Sequence, residues 1–428
     1  MLAGCLIAND GASAQAENAE KNERENNHEQ RPADTSTWSH PEETSGAIAM
    51  PKPGRAGNPP PSKGVPIGGV RLSPEVSLTT RWDDNIYKTA TNLRADVLTQ
   101  LKTVIKVLNR WAQHQADLTY SATVRRYQVV QTENNVDQQI SLNTKLAPSR
   151  LLDVELGYSR SFENDERGTP GKSAKVTVPG STQPLGPNAW LQDSLRETAR
   201  IKLRRLTTEI KLEQSDRSSQ NNGQSHLDRY WFDNGILFRW ALSPKTNLLL
   251  DMGRKETTYN RSPKMDSVET RLLTGVNWKV TPQTESQIKA GLTNKTMVNN
   301  QGKSSLNATW EANLIWQPSS RTRINLTSRR NTQDSEDLTE SFIATTIQGN
   351  VDHTVSGNWH LLLGLENISN AYDTGKNEQF MTGKIGMEYR LSNHLVIATE
   401  VVNKTKDTTV KGTEFNSHAV QLSLTGSM

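Results

Sequence analysis

The sequence predicts an all-β fold: a transmembrane, antiparallel, up-and-down β-barrel of about 18 strands. Three observations lead there. From Val70 onward, apolar and polar residues alternate. Short turns recur at nearly constant spacing. Only 33% of the 428 residues are hydrophobic, and no apolar run is long enough for a membrane helix. A water-soluble chain this polar lacks the apolar surface to offset its ordering entropy. A barrel in lipid resolves the conflict, because only every second strand residue meets lipid while the others line a wet lumen.

The alternation is explicit. In "LNATWEANLIW", Leu306, Ala308, Trp310, Ala312, Leu314 and Trp316 share one parity, and Asn307, Thr309, Glu311 and Asn313 the other. In "ARIKLRR", Ala199, Ile201 and Leu203 oppose Arg200, Lys202 and Arg204. "RLLTGVNWKV" and "KIGMEYRL" repeat the pattern. Period two puts one set on each face of a strand. One segment is ambiguous. "VLTQLKTVIKVLNRW" carries Leu98, Leu101, Val104, Ile105 and Leu108 at helical spacing, but the turn rhythm requires a strand there.

Breakers at Asn109, Pro148, Leu206, Pro244, Pro282, Pro318, Gly357 and Asn393 are 36–39 residues apart, except for one interval near 58. That interval holds the long polar insert "ENDERGTPGKSAKVTVPGSTQPLGPNAW". Eight tight turns give nine strand pairs, and longer polar loops lie between them, which matches periplasmic turns and extracellular loops. A propeller is the competing repeat of this length, but each unit here holds two long strands rather than four short ones. Trp240, Trp278 and Trp316 are spaced 38 residues apart just before turns, and Trp111 and Trp359 come just after turns. Five tryptophans at matched depth predict an aromatic girdle at one membrane interface.

The chain divides into residues 1–16, a signal-peptide remnant; 17–69, a disordered Pro- and Gly-rich periplasmic linker; and 70–428, the barrel. "LAGC" at Leu2 to Cys5 reads as a lipobox, and Ala14-Gln15-Ala16 as a signal-peptidase site. The two exclude each other. Leu6-Ile7-Ala8 continues the apolar run past Cys5, which favours cleavage before Glu17. Either route implies export, and the barrel pattern places the chain in the bacterial outer membrane. No cysteine follows Cys5, which excludes an intramolecular disulfide and a cysteine zinc site in the mature chain.

No catalytic or phosphate-cradling motif stands out, so no enzyme, cofactor or metal site is expected. His360, beside Trp359, reads as an interfacial residue. A net charge of +4 on an exported chain gives no argument for nucleic acid. The functional content lies on the inward parity. Its cations include Lys102, Lys106, Lys145, Arg239, Arg271 and Lys289, and its acids Asp153, Glu155, Glu209, Asp251 and Glu311. Arg200, Lys202 and Arg204 form a candidate basic strip. Two readings stay open: a solvated wall whose charges pair across strands, or a basic conduit for anions or an acidic polymer.

The stretch "GVRLSPEVSLTTRWDDNIYKT" and the acidic "FENDERG" resemble segments of an outer-membrane β-barrel family linked to exopolysaccharide biosynthesis. Gly69-Val70-Arg71 leads the first strand and Asp83-Asp84-Asn85 follows it. The resemblance implies a part in making or exporting a surface polysaccharide, with outer-membrane lipid, the barrel-assembly machinery, the polysaccharide and periplasmic export components as partners. Asp-Asp-Asn also suits an Asx turn, a structural role. A departure is the C-terminal "VQLSLTGSM", which ends in Met428 rather than an aromatic residue. A general or anion-preferring porin, and a structural barrel plugged by its own long loop, are the alternatives.

Overall fold

The computed structural model describes residues 64–171, 185–299, 303–335 and 341–428. The signal-remnant segment and nearly all of the linker segment lie outside them. The described residues belong to one compact unit, Thr44–Met428. It is a closed antiparallel barrel of 18 strands with one short additional strand.

The short strand is β1 (Val65–Ile67). It falls within the segment read from sequence as linker, and it pairs with the first barrel strand through a Gly68-Gly69 turn. The barrel comprises β2 (Val70–Asp83), β3 (Asp96–Trp111), β4 (His114–Tyr127), β5 (Asn135–Ser149), β6 (Leu152–Asn164), β7 (Ala189–Leu203), β8 (Leu206–Ser219), β9 (Arg229–Ser243) and β10 (Thr246–Tyr259). It continues with β11 (Ser267–Thr281), β12 (Thr284–Met297), β13 (Ser304–Ser319), β14 (Thr322–Asp334), β15 (Ser341–Thr354), β16 (Trp359–Tyr372), β17 (Asn377–Arg390), β18 (Leu395–Thr408) and β19 (Phe415–Ser427). Every strand pairs antiparallel with its sequence neighbours. β19 closes on β2, from Ala419↔Asp83 to Ser427↔Glu75. Closure leaves no ladder edge to be satisfied by lipid.

Pro244, Pro282, Gly357 and Asn393 fall in the tight turns themselves, and the other four sequence breakers lie within three residues of one. Pro148 and Pro318 sit where the β5–β6 and β13–β14 registers shift. A residue without an N–H costs no ladder bond there. The ambiguous segment is strand β3, paired along its whole length with β2 and β4. Its helical spacing is incidental, since Leu101 and Ile105 are exposed on the outer face while Lys102 and Lys106 occupy the inner parity.

The outer face carries Leu248, Leu272, Ile288, Leu326, Ile347, Leu365 and Val420. The inner face is polar but not uniformly wet. Glu209, Asp251 and Thr293 are 0–1% exposed. Gly275 and Gly291 mark a tight approach of β11 and β12: a Cβ on Gly275 would stand 2.0 Å from the Ile288 carbonyl oxygen. Inward glycines let a barrel wall turn sharply.

Candidate functional site

One half of the lumen wall is a belt of interlocked charge, one or two residues per strand from β5 to β13. Lys145 Nζ meets Glu155 at 2.9 Å, and Glu155 meets Arg200 at 3.6 Å. Arg200 Nε donates to Glu209 at 3.1 Å. Glu209 also takes Lys211 at 2.7 Å and Arg239 at 3.5 Å. On the next strands Asp251 meets Arg271 at 3.5 Å and Lys289 at 2.7 Å. Lys289 reaches Glu311 at 2.7 Å. The strands bring opposite charges side by side because each inward residue faces a cross-strand neighbour on the same surface. Buried charges persist only when paired and hydrogen-bonded.

The basic strip read from sequence lies partly in this belt. Arg200 and Lys202 face inward on β7, and both contact Asp153. Arg204 follows the end of β7 and belongs to the exposed tight turn before β8. The strip is therefore two inward residues, each held by carboxylates, rather than three free cations. Strand parity in the sequence indicates the inward face, but not the acids contributed by the neighbouring strands β6 and β8.

An arc that begins beside the belt and shares β5 and β6 with it differs over most of its surface. The inner parity of β2 to β6 is rich in small hydroxyl and amide residues: Ser73 and Ser77 on β2, Thr119 and Thr123 on β4, Gln139, Ser141 and Asn143 on β5, and Ser159 on β6. Lys102 and Lys106 on β3, with Gln139 and Asn143, are exposed. Neither lysine has an ion-pair partner among the described residues.

The described first part of the loop after β6, residues 165–171, runs across the mouth of the barrel. Arg167 forms a two-pronged contact with Glu133, at 2.8 and 3.2 Å. Glu166 lies 3.9 Å from Arg81 of β2, and Gly171 packs against Phe342 of β15. β6 and β15 are nine places apart in a ring of 18, so the loop reaches the opposite wall. Gly168 has φ +71°, and a Cβ there would meet Lys88 Cγ at 2.8 Å and Phe415 Cζ at 2.9 Å. Only glycine fits both the conformation and the space. Burial pushes the Glu166 carboxyl up, but the charges of Lys404, Arg81, Arg125 and Lys88 outweigh it and hold the group below the ordinary glutamate value.

The Asp83–Asn85 segment beside this loop ties the barrel seam. The Asn85 N–H donates to Asp83 Oδ1 at 3.0 Å, an Asx turn. Asn85 Nδ2 donates to the Asn416 carbonyl at 3.0 Å, and Ser417 Oγ donates to Asp83 at 2.9 Å. Lys88 Nζ donates to both Asp83 oxygens at 2.7 and 2.9 Å. Burial pulls the Lys88 ammonium below the ordinary lysine value despite that carboxylate. The segment joins β2 to β19 and contacts the crossing loop.

Trp111, Trp240, Trp278, Trp316 and Trp359 all lie on the outward parity at the tight-turn end, and their 41–49% exposure is uniform. Trp82, Phe162 and Tyr230 are exposed toward the loop end. His360 departs from the sequence reading. It faces inward, 1% exposed and 3.5 Å from Asp352, because strand parity reverses between it and Trp359.

No curated protein matches the sequence. Among solved structures, Pseudomonas aeruginosa OpdK with vanillate is similar over 83% of this chain and 99% of its own, at 9% identity and a TM-score of 0.46. Acinetobacter baumannii OccAB3 is similar over 85% and 100%, at 8% identity and 0.46. The FrpB iron transporter of Neisseria meningitidis (F3-3 variant) is similar over 78% of this chain at 9% identity and 0.46, and this chain spans 62% of its length. Likeness at this level says nothing about the solute. The family model described as "Putative beta-barrel porin 2" matches residues 58–428. That match takes in all 18 barrel strands, and the chain belongs to this family of outer-membrane β-barrel porins.

Proposed function

We propose that the barrel is a channel for hydrophilic solutes, with its water-filled path along β2 to β6 and its outer mouth crossed by the loop after β6. The segregated wall carries this reading. The β5–β13 belt is held together by ion pairs, whereas β3 offers exposed Lys102 and Lys106, and the inner face of β5 beyond Lys145 offers exposed Gln139 and Asn143. A path lined by hydroxyls and amides passes polar molecules without trapping them, since each contact replaces one with water at little net gain. The five tryptophans set the depth of the barrel at the inner lipid interface. Delivery by the barrel-assembly machinery goes with this reading.

A second reading makes the cargo an exported polysaccharide, with periplasmic export components as partners. The hydroxyl- and amide-rich wall favours it, because it suits sugar hydroxyls. The Asp83–Asn85 motif does not bear on cargo, since its side chains are spent on the β2–β19 seam.

Planar-bilayer conductance of the purified barrel, with liposome swelling in neutral sugars of increasing size, tests the channel. Conductance with a size cut-off in swelling is expected. Silence in both assays, for the native barrel and for one with its mouth loop released, would leave the plugged structural barrel as the reading.

A further inference from the structure

We infer that Lys102 and Lys106 are the selectivity element of this channel, and that its preferred solutes are anions. This deepens the channel reading and rests on it.

The belt cations are already answered, since each lies within 2.7–3.9 Å of a carboxylate. Lys102 and Lys106 are inward, exposed and without an ion-pair partner among the described residues. Their cross-strand neighbours are Ser77 and Thr123 for Lys102, and Ser73 and Thr119 for Lys106. None of these carries charge.

Two acids of the same arc are ion-paired. Asp137 is bound by Arg125, and Glu155 by Lys145 and Arg200. Glu75 also has a partner. Asp117 accepts from Asn143 at 3.1 Å and sits nearer the tight-turn rim than either lysine. The two lysines are four residues apart on one strand, roughly 13 Å at about 3.3 Å per residue. That is close to the Debye length of about 10 Å at 0.1 M salt, so their fields overlap into one positive stretch. Fixed, unpaired charge along a narrow aqueous path sets ion preference. A lone ammonium on a flexible stem attracts a carboxylate without the two-pronged grip of an arginine, so solutes are passed rather than held.

The test is the reversal potential across a planar bilayer in a KCl gradient. It compares the native barrel with Lys102→Glu/Lys106→Glu and Lys102→Arg/Lys106→Arg, each checked for folding by heat-modifiable gel mobility. The native barrel and the Arg variant should prefer chloride, less so at high salt, and the Glu variant should prefer potassium. A membrane-impermeant amine-acetylating reagent should also modify Lys102 and Lys106 ahead of the belt residues Lys211 and Lys289. An unchanged reversal potential in the Glu variant, or a cation-selective native barrel, overturns this inference and leaves the channel standing. Absence of conductance from the native barrel and from a loop-released one overturns both.

Discussion

Arg167 and Glu133 join two neighbouring loops at the mouth of the barrel, the first from the β6–β7 connection and the second from the β4–β5 connection, with guanidinium–carboxylate distances of 2.8 and 3.2 Å. Both side chains are largely buried. Breaking such a pair from one side leaves a buried, unanswered charge, at a cost of about 3 kcal/mol. Glu133→Gln should therefore release the loop around Gly168. Limited proteolysis of intact barrels would show it as faster cleavage after Arg167, and bilayer recordings as larger or noisier conductance. Unchanged cleavage would mean that the Gly168 and Phe342 contacts hold the loop by themselves.

Arg200 and Lys102 are both inward cations, yet only Arg200 should cost stability when neutralised. Arg200 lies between Glu155 and Glu209, and the Glu209 side chain is 1% exposed. Arg200→Gln removes one of three cations on that carboxylate, and about 2–3 kcal/mol of barrel stability should go with it. Lys102→Gln breaks no ion pair and should fall within about 0.5 kcal/mol of the native barrel. Urea unfolding in lipid vesicles measures both, and equal losses would show that the belt is not a stabilising network.

The contrast between these two residues marks what could be read in advance. Strand parity and turn spacing come from the chain alone, so the strand count, the closing order and the inward face of Arg200 and Lys102 were legible. Which cation is free depends on partners brought from distant sequence. Asp153 neutralises Lys202 from 49 positions away, a pairing that exists only once β6 lies against β7. Period-two counting also says nothing about strand ends, so it carries Arg204 onto a strand that stops at Leu203. His360 was judged by its neighbour Trp359, although adjacent strand residues face opposite ways.

Gly275 should be intolerant of any side chain. A Cβ would stand 2.0 Å from the Ile288 carbonyl oxygen and 2.8 Å from Lys289 Cα, both backbone atoms. Relief requires β11 and β12 to separate where Gly275 faces Lys289 in the ladder, and Lys289 anchors Asp251 and Glu311. Gly275→Ala should cost at least about 3 kcal/mol, at the upper end of overpacking. The readout is loss of the heat-modifiable folded band. Gly412→Ala, in an open loop with nothing within 4 Å of its Cβ but φ +82°, should cost only its local backbone strain of about 1 kcal/mol.

Acid should open the mouth. Glu166 is surrounded by Lys404, Arg81, Arg125 and Lys88, and those charges hold its carboxyl below the ordinary value of 4.5 against the upward push of burial. A carboxyl depressed on docking stabilises the docked loop fully above its undocked value. That contribution is lost as pH falls through the lower, docked value. Conductance should therefore be steady at neutral pH and rise only below about pH 4.5, as protonated Glu166 lets go of its basic surroundings. Glu166→Gln mimics the protonated carboxyl and should give the open level at pH 7 with little further change on acidification. Acid opening that persists unaltered in Glu166→Gln would assign the effect to other carboxylates of the mouth.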